Sequence, residues 1–116
     1  MEELVMRVFA ARDVAHREHL RTQSYSQHMA LNAFYDEIID QIDEIVESYQ
    51  GQFGLLGDYQ IETSPVANIT AWIQSEMDWI ASNRDQLANG SASIGNLIDS
   101  LVAIYQRTIY KLTNLQ

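Results

Sequence analysis

The chain contains no cysteine, which excludes disulfides, thiolate-bound zinc and thiol catalysis. It has a single proline and five glycines, so long stretches are free of the strongest helix breakers. No apolar run approaches the roughly 18 residues that a membrane-spanning helix needs. Lysine and arginine are scarce, seven against sixteen acidic residues, for a formal net charge of −9. That balance opposes binding to a phosphate backbone, so no nucleic-acid partner is expected. The absence of any Lys/Arg cluster likewise argues against a polybasic membrane anchor. The opening residues, MEELVMRVFAARDVAH, lack the basic start and apolar core of a secretory signal, and a cytoplasmic location is the expectation.

What remains is 116 residues, 47% of them hydrophobic, enough for a single domain over 1–116. The acidity is concentrated. Residues 1–21 balance Arg7, Arg12, Arg17 and Arg21 against Glu2, Glu3, Asp13 and Glu18. Residues 30–66 carry eight acids, from Asp36 to Glu62, and no Lys or Arg. Most of the excess charge therefore sits in one third of the chain.

Apolar spacing and punctuation predict an all-α protein with helices at about 2–21, 27–50, 65–87 and 92–114. Leu4, Val8, Ala11 and Ala15 form one face of the first helix, and Leu31, Tyr35, Ile38, Ile42, Ile45 and Tyr49 one face of the second. Ser24 or Ser26 is a candidate N-cap for the second helix, and Gly51 its expected stop. Ser64-Pro65 reads as a cap and first-turn proline for the third, and Asn89-Gly90 ends it. The connections run short, long, short. The middle one is about 14 residues and reaches roughly 45 Å when extended, enough to return along a whole helix. The pattern suits an up-down-down-up four-helix bundle with one long crossover, the ferritin-like arrangement. The alternative is an ordinary bundle whose end is capped by Phe53, Leu55 and Leu56.

Asp36, Asp40, Asp43 and Glu47 recur at steps of 4, 3 and 4, which aligns them along one edge of the second helix. Like charges at this spacing repel by a few tenths of a kcal/mol, roughly, so relief is expected from outside the helix. Candidates are the arginines of the first helix, a second subunit, a basic partner or a metal ion. His16, His19 and His28 cluster near the first turn of the hairpin, whereas Asp43 lies about 22 Å further along the helix from His28. One chain cannot easily bring His28 and Asp43 to one ion, but a second, antiparallel chain can. Glu76 falls between Trp72, Ile73 and Ile80 on an apolar face and needs a partner, for which Arg12 is the expected choice.

His16, His28, Asp43 and Glu47 read as H-x11-H-x14-D-x3-E, which resembles the ferroxidase signature of mini-ferritins, the DNA-binding proteins from starved cells. The segment FYDEIIDQIDEIVE at 34–47 is also similar. The resemblance covers roughly residues 10–50 and extends to a small ferritin-like family of tailed phages. It implies an intersubunit site in which His16 and His28 of one subunit and Asp43 and Glu47 of another bind iron, with manganese or zinc as alternatives. His19, Asp36, Asp40 and Glu76 form a second rank of ligands. It further implies a homodimer or higher homo-oligomer, possible ferroxidase activity, and a host-cytoplasm or virion location if the chain is phage-encoded. Arg17 stands where the family usually has Trp, and Asn32 where it usually has Asp. The lysine-rich DNA-binding tail is missing, as is the Glu-x-x-His pair of ordinary ferritins. The competing expectation is a non-catalytic module whose acidic side docks a basic protein, with the histidines serving structure alone.

Overall fold

Residues 1–115 are described in a computed structural model, and among them five helices and no strands are found. Helix α1 spans Glu2–Arg21, α2 Tyr25–Phe53, α3 Ile69–Ser82, α4 Arg84–Ala88 and α5 Ala92–Asn114. The first and last agree with the sequence expectation. Ser24 caps α2 by accepting from the Gln27 N–H at 3.2 Å, and Ser91 caps α5 by accepting from the Ile94 N–H.

Three expected boundaries move. Helix α2 runs through Gly51 and stops at Gly54, whose φ of +98° takes the left-handed role instead. The extra turn places Phe53 4.9 Å from the Tyr49 ring, a contact that offsets the roughly 1 kcal/mol cost of a glycine inside a helix. Helix α3 begins after Asn68, not at Ser64-Pro65, because the Asn68 carbonyl side chain accepts from the Ala71 N–H at 3.1 Å. The expected third helix also breaks at Asn83. There the side-chain amide donates to the Trp79 carbonyl at 2.8 Å, competing with the helical ladder. Asn89 (φ 53°) and Gly90 (φ 81°) then make the left-handed turn that the sequence predicts.

Contacts between helices fix their directions. Gln41 reaches the Leu97 carbonyl, Arg107 reaches Glu37, and Ser26 donates to the Leu115 carbonyl; α5 is therefore antiparallel to α2. Arg7 meets Glu76 and lies over Trp79, while Ala10 and Val14 share a cleft with Trp72. Helix α3 is therefore antiparallel to α1, as α2 is. Helices α2 and α3 consequently point the same way, and residues 54–68 carry the chain back along the molecule, which is 44 Å long. This link is pinned to α1 where Tyr59 packs on Phe9 at 6.1 Å and the Gly57 N–H donates to Glu2 at 3.3 Å. The four long helices enclose one core of fully buried Leu4, Val8, Leu31, Ile38, Ile73 and Ile98 with their neighbours, each worth about 1.5–3 kcal/mol of burial.

Candidate functional site

The corner between α1 and α2 is only three residues long, Thr22 to Ser24, so the last turn of α1 lies beside the first turns of α2. Two histidines clasp each other there. The His19 Nδ1 lies 2.7 Å from the His28 carbonyl, and the His28 Nδ1 lies 2.8 Å from the His19 carbonyl. The rings stack with centroids 3.6 Å apart. Because a carbonyl oxygen can only accept, each Nδ1 must carry the proton. In the neutral ring this leaves each Nε2 with a free lone pair. The His19 carbonyl belongs to the terminal turn of α1, where the helical ladder runs out, and His28 supplies its donor.

His16 joins the cluster from one turn earlier in α1. Its ring stacks on Tyr35 at 4.3 Å and lies 5.9 Å from His19. His19 is buried, while His16 and His28 are half-buried. Arg12 lies over the other end of this cluster, 5.7 Å from the Tyr35 ring. The fold thus brings the three histidines together, with His19 as the ring that touches both others.

It does not bring them to the acids within one chain. Asp36, Asp40, Asp43 and Glu47 are all exposed, and Asp43 and Glu47 lie further along α2. Among the described residues no group of three or more His, Asp or Glu is placed to hold a metal ion. The arginines of α1 do not neutralise the stripe either. Arg7 is held by Glu3 at 3.3 Å and Glu76 at 2.5 Å, and Arg12 contacts its neighbour Asp13 at 3.1 Å. The ion pair seen on this side is Arg107 with Glu37, next to the stripe. Asp40, Glu37, Gln41 and Glu44 line a groove of about 360 Å³ between α2 and α5.

Glu76 is partnered, as an interior carboxylate must be, but by Arg7 instead of the expected Arg12. The antiparallel packing of α3 on α1 sets Glu76 level with Arg7, and Arg12 turns towards α2. The apolar spacing of the last helix places Tyr105 on its inner face, but the sequence gives no sign of how its hydroxyl is left. Its ring is fully buried and edge-on to Phe34 at 4.9 Å, and its hydroxyl has no hydrogen-bond partner. Burial raises the phenol pKa far above its usual range; the nearby Glu76 charge adds to this and Arg7 opposes it. Its position in the apolar stripe, four residues after Leu101 and next to Ile104, is the signal that marks it as interior.

The match that decides kinship covers residues 19–112. The chain belongs to a family of unknown function, DUF5856. The family match takes in His19, His28, the acid stripe and Glu76, whereas His16 precedes it. No curated protein and no solved structure shows significant similarity to the chain. Among the described residues, no helix is long and apolar enough to cross a membrane.

Proposed function

We propose that this member of the family is a ferritin-like helical protein that binds a divalent metal, iron foremost, at a site shared between two copies. His16 and His28 of one copy and Asp43 and Glu47 of the other are the ligands. The observation that carries this reading is the His28 half of the clasp: its Nδ1–H bond to the His19 carbonyl turns Nε2 of the neutral ring outwards as a free lone pair, the form in which histidine ligates metals. The parallel run of α2 and α3 with a long link between them supports the ferritin-like arrangement. Neutral imidazoles with carboxylates suit Fe(II), Mn(II) or Zn(II), so the donor set fits the metal. Bound Fe(II) would be a substrate for oxidation by oxygen or peroxide.

The test uses the exposed acids. Asp43→Asn and Glu47→Gln remove no hydrogen bond or ion pair among the described residues, so their thermal midpoints should match wild type. Metal content after loading with Fe(II), Mn(II) or Zn(II) should fall to background in both. Wild-type protein that takes up none of the three at micromolar concentration overturns the reading.

A second reading is favoured by the unneutralised acids themselves. It takes the chain as a non-catalytic module, such as a phage accessory or virion protein, whose acidic side docks a basic protein. It predicts binding that Asp40→Asn and Glu44→Gln weaken together and that metal does not affect.

A further inference from the structure

The seam between α2 and α5 is open along its outer side. On α2 it is lined by Ser26, Ala30, Ala33, Glu37, Asp40 and Glu44, at steps of 4, 3, 4, 3 and 4. On α5 the wall is Ser100, Ile104, Arg107, Lys111 and Leu115, at steps of 4, 3, 4 and 4. Such spacing keeps each row on one side of its helix. The two hollows along the seam, of about 350 and 360 Å³, are therefore halves of one groove.

Any two packed helices leave a furrow, but the lining of this one changes halfway. The half near the hairpin corner is apolar. Met29 and Leu115 flank it, each 46% exposed, which leaves apolar surface in water at a cost. In the other half Asp40 and Glu44 stand exposed, with no hydrogen bond or ion pair among the described residues. Glu37, at the junction, is held by Arg107 at 3.2 Å. Ala30, Ala33 and Ala103 keep the floor low, so another backbone can approach closely.

We infer that this groove holds a helix of another protein, apolar along one half and bearing Lys or Arg along the other. The inference rests on the reading in which the acidic side docks a basic protein, and it names what that partner presents. A helix is the shape that fits, because two walls at alternating three- and four-residue steps are what a third helix packs into. From Ser26 to Glu44 the groove runs about 27 Å, the length of a helix of about 18 residues. Charge selects the occupant. A second copy turned end for end brings only Lys111 to the acidic half, against two free carboxylates, whereas a basic helix supplies a cation to each. The footprint of one helix is small, so the complex is transient and salt loosens it.

The test is fluorescence anisotropy of the full chain, in chelator, with labelled helical peptides of about 18 residues. One peptide carries Leu along one half and Lys along the other at three- and four-residue steps. A second has the same composition with the two kinds intermixed, and a third carries Lys without Leu. The ordered peptide should bind at least about tenfold more tightly than the intermixed one. Met29→Glu and Leu115→Ser, both at exposed positions, should each weaken the ordered peptide severalfold with helicity unchanged, and should not weaken the Lys-only peptide. D40N/E44Q should weaken both peptides. Equal binding of the ordered and intermixed peptides overturns the inference, as does an ordered peptide that Met29→Glu and Leu115→Ser leave untouched. If the Lys-only peptide still binds in either case and D40N/E44Q weakens it, the basic-partner reading stands without the groove. If no Lys-bearing peptide binds, both fall. A wild-type dimer in chelator that Met29→Glu dissociates gives the groove to a second copy and also overturns the inference.

Discussion

Tyr105 concentrates the energetic argument at the level of single residues. A buried hydroxyl with no partner loses its hydration without recovering a hydrogen bond. Tyr105→Phe should therefore leave stability unchanged or raise it by about 1 kcal/mol, read from chemical denaturation. The pH dependence has a defined sign. Burial raises the folded-state pKa of the phenol above its unfolded value, so the stability it protects is complete below the ordinary phenol range near 10 and is lost as pH climbs beyond it. An alkaline unfolding step present in the wild type should move to higher pH in Tyr105→Phe. The clasped imidazoles behave differently. His19→Ala removes a stacked ring and one donor, and a loss of about 1–3 kcal/mol is expected in the same measurement. The sequence showed three histidines close to one turn and an unpaired carboxylate on an apolar face. It could not show that His19 and His28 would bond each other's backbone, because that depends on the rotation of two helices about their axes.

Boundaries of elements were legible where one signal dominated. Helices α1 and α5 begin and end where apolar spacing and capping residues agree. Helix α3 departs from the sequence expectation at both ends, because Asn68 outcompetes Ser64-Pro65 as a cap and Asn83 diverts a carbonyl that the ladder would use. Both are asparagines acting through one short side chain, which periodicity does not register. Gly95 shows a similar local contest. A Cβ built there would lie 2.8 Å from Arg84 Nη2, and that guanidinium grips Asp99 through two bonds of 2.6 and 2.9 Å. This grip lowers the Asp99 pKa; the stability involved is present above the ordinary carboxylate range and lost as pH falls through the lowered value. Gly95→Ala should improve helix propensity by roughly 1 kcal/mol while forcing Arg84, a flexible surface side chain, aside. The net stability change should be small, and the Asp99 titration followed by NMR should return upward.

At the scale of the whole molecule, the crossover is the decisive feature. Helices α3 and α4 together occupy about 30 Å along the bundle, and the link of residues 54–68 can extend to roughly 50 Å. Deleting three residues around Gln60 should leave a folded, cooperative protein. Deleting eight leaves roughly 23 Å of reach, and the α3–α5 half should then fail to dock, visible as lost near-ultraviolet dichroism from Trp72 and Trp79. The length of the link was readable from the sequence, and with it the parallel run of α2 and α3. The charge pattern was readable too, but not its relief, since the cations of α1 are held elsewhere or face away from the stripe.

The histidine clasp also bears on the order of events as the chain folds. It joins residues only nine positions apart, so α1 and α2 can meet with little loss of chain entropy. Helices α3 and α5 must wait for a far longer loop to close. Refolding should therefore begin at this corner, with substitutions of His19 and His28 slowing folding and those of Ile73 and Ile98 mainly hastening unfolding.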